Sequence, residues 1–146
     1  MNHSPVCGNN VVNFSGTYFN CSNLITPFVC GSNVEDMSYT YYNCRNVNNR
    51  PVCGAKVTNM AYTYYNCILI KNSAICGNNV TNMAYTYSGC INLTGSPVCG
   101  SNVINFKGAY NNCVNLTGKP VCGPNVLDMS NTYDRCNNIS GTAVCG

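Results

Sequence analysis

The sequence predicts an α/β fold: a right-handed solenoid of six 23-residue coils, each with a short parallel strand and one or two helical turns. Three observations predict it. Two columns of cysteine recur every 23 residues through the 146-residue chain with no insertion or deletion. Glycine, valine and tyrosine keep the same period. Within each unit the apolar residues advance in steps of three and four, the spacing of a stripe on a helix. A fixed period over a whole chain is the signature of stacked, equivalent units.

The first cysteine column is Cys7, Cys30, Cys53, Cys76, Cys99, Cys122 and Cys145; the second is Cys21, Cys44, Cys67, Cys90, Cys113 and Cys136. Glycine follows every member of the first column, from Gly8 to Gly146. One valine column runs Val11, Val34, Val57, Val80, Val103, Val126, and one tyrosine column runs Tyr18, Tyr41, Tyr64, Tyr87, Tyr110, Tyr133. A single repeat domain over 1–146 follows, with coils at 7–29, 30–52, 53–75, 76–98, 99–121 and 122–144 and a last strand over 143–146.

Each element has a local reason. Val80, Met83, Tyr87, Cys90 and Leu93 form the helical stripe of one unit. The Asn or Asp before each Met or Phe (Asn13, Asp36, Asn59, Asn82, Asn105, Asp128) is a short acceptor in the place of a helix N-cap. Val98-Cys99-Gly100 predicts a brief strand ending in a turn, approached through proline at positions 5, 51, 97 and 120, which favours extended backbone before it. Period-two alternation lets Val98 or Cys99 face inward, but not both. Strands stacked one above another would form a parallel sheet at a spacing of about 4.8 Å.

The stretches KVTNMAYTYYNCILI (56–70) and NVTNMAYTYSGCINL (79–93) resemble BspA-type leucine-rich repeats: an N-V-T-N-M start, an aromatic, a cysteine, and an aliphatic three residues on. The resemblance covers nearly all of 5–146. It implies a leucine-rich-repeat-like architecture and a surface protein that adheres to host or matrix molecules. The chain departs from the pattern in its reduced P-V-C-G strand and its additional cysteine column.

Composition narrows the functions. Charged residues are only 8% of the chain and the net charge is +3, against roughly a quarter charged in an ordinary domain. The bases are scattered, so no basic stripe for nucleic acid forms. No apolar run approaches the roughly 18 residues of a membrane span. Residues 1–20 lack the basic start and apolar middle of a signal peptide.

Catalysis has little to work with: four acids, one histidine (His3) and no base beside a nucleophile at readable spacing. No catalytic residue, metal ligand or cofactor is expected. The cysteines form no C-x-x-C pair, which disfavours zinc. The second column fits small buried hydrophobes with weak donors. Disulfides fit the cysteines better than a metal does; neighbours of one column would hold parallel Cβ vectors one strand apart, an unfavourable bridge geometry, and bridges between the two columns inside a coil stay open. The Asn column at Asn10, Asn33, Asn79, Asn102 and Asn125 is expected to stack as an amide ladder, which Lys56 interrupts and weakens.

The tyrosine column sits on the apolar stripe and is expected in the core. Tyr39, Tyr42, Tyr62, Tyr65 and Tyr85 lie off the stripe and are the candidate ligand contacts. The expected function is a non-enzymatic recognition or adhesion module with an uncharged Asn/Tyr-rich face, its partner a protein or a glycan. The alternative is a structural subunit that binds further copies of itself, end-to-end or side-by-side, in a fibre. No nucleic acid and no membrane span enter either reading.

Overall fold

The computed structural model describes residues 7–26, 30–49, 52–143 and 145. His3, Ser4, Pro5, Arg50 and Pro51, with Val144 and Gly146 of the expected last strand, lie outside the described residues. The α/β expectation is wrong. Among the described residues there is no helix, and parallel pairing is limited to single-residue bridges: Asn13 with Asp36, then Asn59, Asn82, Asn105 and Asp128 in one line, and Gly118 with Ile139 in another. The chain is a stack of 23-residue coils built from β-turns, each coil hydrogen-bonded to the next.

One unit shows why. Backbone N–H groups close four successive turns: Val80 to Gly77, Thr86 to Met83, Cys90 to Tyr87 and Leu93 to Cys90, at 3.0 to 3.2 Å. In each turn the first and fourth residues stand on one side, so turn corners also recur in steps of three and four. Val80, Met83, Tyr87, Cys90 and Leu93 are those corners, and all are fully buried. The stripe is therefore real, but turns produce it. A helix would send each N–H four residues back. Here alternate N–H groups leave the coil and donate to the next: Met83 to Asn105, Tyr85 to Lys107, Tyr87 to Ala109 and Gly89 to Asn111, each 2.8 to 2.9 Å.

The Asn/Asp column caps turns, not helices. Asn82 Oδ1 accepts from the Ala84 N–H at 3.0 Å, and Asp36, Asn59, Asn105 and Asp128 do the same two residues on. This is an Asx-turn, the local competitor of helix for these side chains.

The core is a set of vertical files, each holding one residue type. Tyr41, Tyr64, Tyr87 and Tyr110 are fully buried, their rings stacked 5.3 to 5.6 Å apart and within 9° of parallel. Each buried phenol needs a partner. Tyr87 Oη accepts from the Ile75 N–H at 3.1 Å and donates to the Ile75 carbonyl at 3.0 Å, pinning the segment across the coil. Tyr64 holds Val52, Tyr110 holds Val98 and Tyr133 holds Val121 in the same way. Thr40, Thr63 and Thr86 are buried beside them. The Thr86 hydroxyl lies 2.8 Å from the Met60 carbonyl and 2.9 Å from that of Met83, so its one proton is shared between coils.

The second cysteine file closes the core. Cys67, Cys90 and Cys113 are fully buried, and each thiol donates at 3.0 Å to a tyrosine carbonyl of the previous coil: Tyr41, Tyr64 and Tyr87. Burial pushes the Cys90 and Cys113 thiols well up, and Cys44 up to about 11. In the first file Cys30 is buried in the core, while Cys7, Cys53, Cys76 and Cys99 lie at its margin with Val98 and Val121. Val98 and Cys99 are both half-buried, and Pro97 before them is buried. Alternation had offered one inward residue of the two, but this segment is not a strand. Bridging within a column, expected to be unfavourable, is present between Cys122 and Cys145, whose Cα atoms are 4.9 Å apart. Disulfides span about 4.4 to 6.8 Å between Cα atoms, so the distance between coils suits the bond.

Candidate recognition surface

Outside the core, the turn Met83–Thr86 carries a left-handed residue at its third position: Tyr85 has φ 54°. A positive φ there defines a type II turn, and glycine or asparagine normally fills it. The same position in successive coils holds Gly16, Tyr39 (φ 55°), Tyr62 (φ 56°), Tyr85, Gly108 and Asn131. The first, fifth and sixth coils use the residues the geometry favours, while three adjacent coils use tyrosine. Left-handed backbone costs a side chain with Cβ about 1–2 kcal/mol.

The three tyrosines stack: Tyr39 on Tyr62 at 4.8 Å and Tyr62 on Tyr85 at 5.0 Å between centroids. Gly108 ends the file. A Cβ added there would stand 2.4 Å from Cε1 of Tyr85, so the last ring lies on bare backbone. At the other end Tyr39 neighbours Gly16, which carries no side chain, and is the most exposed of the three at 41%.

A second file runs alongside. Phe19 stacks on Tyr42 and Tyr42 on Tyr65, both at 4.7 Å and 5° from parallel. The two files touch through tilted pairs, Tyr39 with Tyr42 at 5.9 Å and Tyr62 with Tyr65 at 5.7 Å. All five tyrosines singled out from the sequence therefore fall in one patch. Only Tyr39 is exposed outright; the other four are half-buried because each ring covers its neighbour. Phe19, 47% exposed, belongs to the patch and escaped the sequence reading. Its position 23 residues before Tyr42 was the available signal. Desolvation, then the phenols of Tyr39, Tyr85, Tyr65 and Tyr42, push the Tyr62 pKa upward.

A second surface is a shallow open groove of about 900 Å³ bordered by Lys56, Thr58, Asn79, Thr81, Ile104 and Leu127. The amide ladder forms its wall. Asn79, Asn102 and Asn125 each donate to a carbonyl of the coil before, those of Ala55, Asn78 and Ser101, at 2.8 to 2.9 Å. Lys56 does not open the third coil: its ammonium bridges to Asn33 Oδ1 at 2.8 Å and continues the line.

No group of three or more metal-ligating side chains is assembled among the described residues, and no helix among them is long and apolar enough to cross a membrane. Compared with family models, curated proteins and solved structures, the chain matches none.

Proposed function

We propose that this chain is a non-catalytic recognition module whose paired aromatic files bind an extended, neutral glycan. The observation that carries the reading is the placement of Tyr39, Tyr62 and Tyr85 at left-handed positions where other coils have glycine or asparagine. Strain held at an exposed position is a hint of function. The rings stack face to face along the file, so their edges and hydroxyls are what solvent meets, repeated at one-coil intervals. Such an array suits a chain of sugars, whose hydroxyls and C–H faces recur along the polymer. The near-absence of charge fits a neutral ligand better than an acidic one. The non-catalytic part is supported by the thiols of the second file: burial pushes Cys44 up to about 11 and Cys90 and Cys113 well up, away from the reactive thiolate. The adhesion role implied by the resemblance to BspA-type repeats points the same way, although the architecture it implied is not the one observed.

The test is binding to an array of neutral polysaccharides by wild type and by the double variant Tyr62→Asn/Tyr85→Asn. Asparagine tolerates the left-handed turn, so the fold is kept. At least a tenfold loss of affinity is expected, with a cooperative melt lowered by no more than about 5 °C. Equal binding by the variant, or no glycan bound by the wild type, would overturn the reading.

A second reading, self-association into a fibre, is favoured by a different observation. Leu127 is 86% exposed and Ile104 45%, side by side on the outer groove. Covering them would favour side-by-side pairing of copies. Light scattering over a range of concentrations decides it: a mass independent of concentration removes this alternative.

A further inference from the structure

The first cysteine file has a use that neither recognition nor core packing absorbs. Its thiols are not held by carbonyls of the previous coil, as those of the second file are. Each sulfur lies toward the coil that follows. A Cβ built on Gly54, Gly77, Gly100 or Gly123 would stand 2.7 to 3.0 Å from the sulfur of Cys30, Cys53, Cys76 or Cys99 in the coil before. Those glycines follow Cys53, Cys76, Cys99 and Cys122 directly, so each sulfur rests beside the next cysteine. At Gly54, Gly77 and Gly100 the sulfur is the nearest atom that a Cβ would meet, so glycine there leaves it room. At the last step of the file the two sulfurs are joined, Cys122 to Cys145, 23 residues apart.

We infer that the first file is a disulfide track: neighbours one coil apart pair with one another, and the odd thiol of the seven migrates along the file by thiol–disulfide exchange. Each bond forms when two thiols lose two protons and two electrons to a small-molecule disulfide, which is reduced to two thiols. Pairing from the Cys122–Cys145 end gives Cys76–Cys99 and Cys30–Cys53, with Cys7 free. The Cys7 thiolate then attacks Sγ of Cys30; a Cys7–Cys30 bond forms, the Cys30–Cys53 bond breaks, and Cys53 leaves as thiolate and takes up a proton. Two further steps carry the thiol to Cys99 and to Cys145. No net oxidation accompanies the movement, and each step advances two coils.

Pairing between neighbours along a line has a consequence of parity. With three bridges present, the thiol can rest only on Cys7, Cys53, Cys99 or Cys145. A thiol on Cys30, Cys76 or Cys122 would strand an odd number of partners on each side.

Rate follows thiolate. Burial is the largest cause that pushes the Cys53 thiol up, and Tyr87 faces it from across the core; among the described residues no cation does. Exchange should therefore speed up about tenfold per pH unit from 7 to 9.

The experiment is disulfide mapping by mass spectrometry on the whole chain, oxidised with a small-molecule disulfide and trapped with an alkylating reagent. Wild type should give only bridges between first-file residues 23 apart, in both registers, with alkylated thiol on Cys7, Cys53, Cys99 and Cys145. Cys7→Ser should freeze one register and leave no thiol in the file. Bridges joining the two files, a trapped thiol on Cys30, Cys76 or Cys122 in the three-bridge species, or a single fixed register in wild type would each overturn the inference.

Discussion

Two tyrosine files run through the same coils only a few residues apart, and they differ in almost everything except their stacking. In the inner file, Tyr41 to Tyr110, the rings are sealed from water. Along that file Tyr64, Tyr87 and Tyr110 each give the phenol two backbone partners across the coil. In the outer file, Tyr39, Tyr62 and Tyr85, the backbone is left-handed and the ring edge faces solvent. Stacking contributes about 0.5–1.5 kcal/mol per aromatic pair in either place. What separates the files is where the hydroxyl goes. Joined to a backbone segment it is structure; turned toward water at a cost in backbone strain it is display.

The largest effect that tests this contrast is alkaline unfolding. Burial raises the phenols of Tyr64, Tyr87 and Tyr110 well above their ordinary value of 10.0, and the thiols of Cys90 and Cys113 well above 9.0, with Cys67 raised as well. The unfolded chain releases these protons first. Stability is therefore full below about pH 9 and falls as pH rises, by about 4 kcal/mol per pH unit once the three thiols count, and faster above 10. Urea melts from pH 7 to 10.5 should show this slope, with phenolate absorbance from the buried tyrosines appearing only as the fold is lost. Phenolate forming in the folded chain at Tyr64, Tyr87 and Tyr110 would break the contrast.

Side-chain removal comes next in size. Tyr87→Ala should cost about 3–5 kcal/mol, by loss of buried area and by stranding the Ile75 N–H and carbonyl. Tyr62→Ala should cost about 1 kcal/mol or less, because the strain it inherits is smaller in consequence than a core cavity. Equal costs in denaturant melts would mean that both files are structural.

Gly108→Ala gives a smaller effect. The new Cβ meets the Tyr85 ring at 2.4 Å and sits at φ 57°, so a loss of about 1–2 kcal/mol is expected. Ring-current shifts of Tyr85 should move while those of Tyr87 stay.

The period, the two cysteine files and the burial of the Val, Met, Tyr and second Cys columns in the middle coils were legible in the sequence, because stacking forces equivalent residues into one environment; at the ends, where no further coil covers them, Cys21 is exposed and Tyr18 and Tyr133 are half-buried. The β-turns were not. Corners of successive β-turns and one face of a helix both place apolar residues three and four apart, and an Asn before the stripe caps either. The discriminating sign was Gly16, Gly108 and Asn131 recurring at one column, since left-handed residues punctuate turns and are excluded from helices. Tyr39, Tyr62 and Tyr85 hid that sign in the middle coils, where the candidate surface lies. Phe19 was missed because it is not a tyrosine.

N–H groups of one coil donate to carbonyls of the next throughout the stack. Scalar couplings across hydrogen bonds in a labelled sample read those pairs one by one. Couplings are expected from Met60 to Asn82, Tyr62 to Ala84, Tyr64 to Thr86 and Met83 to Asn105. Couplings from these amides to carbonyls four residues earlier, as in a helix, would contradict that pairing.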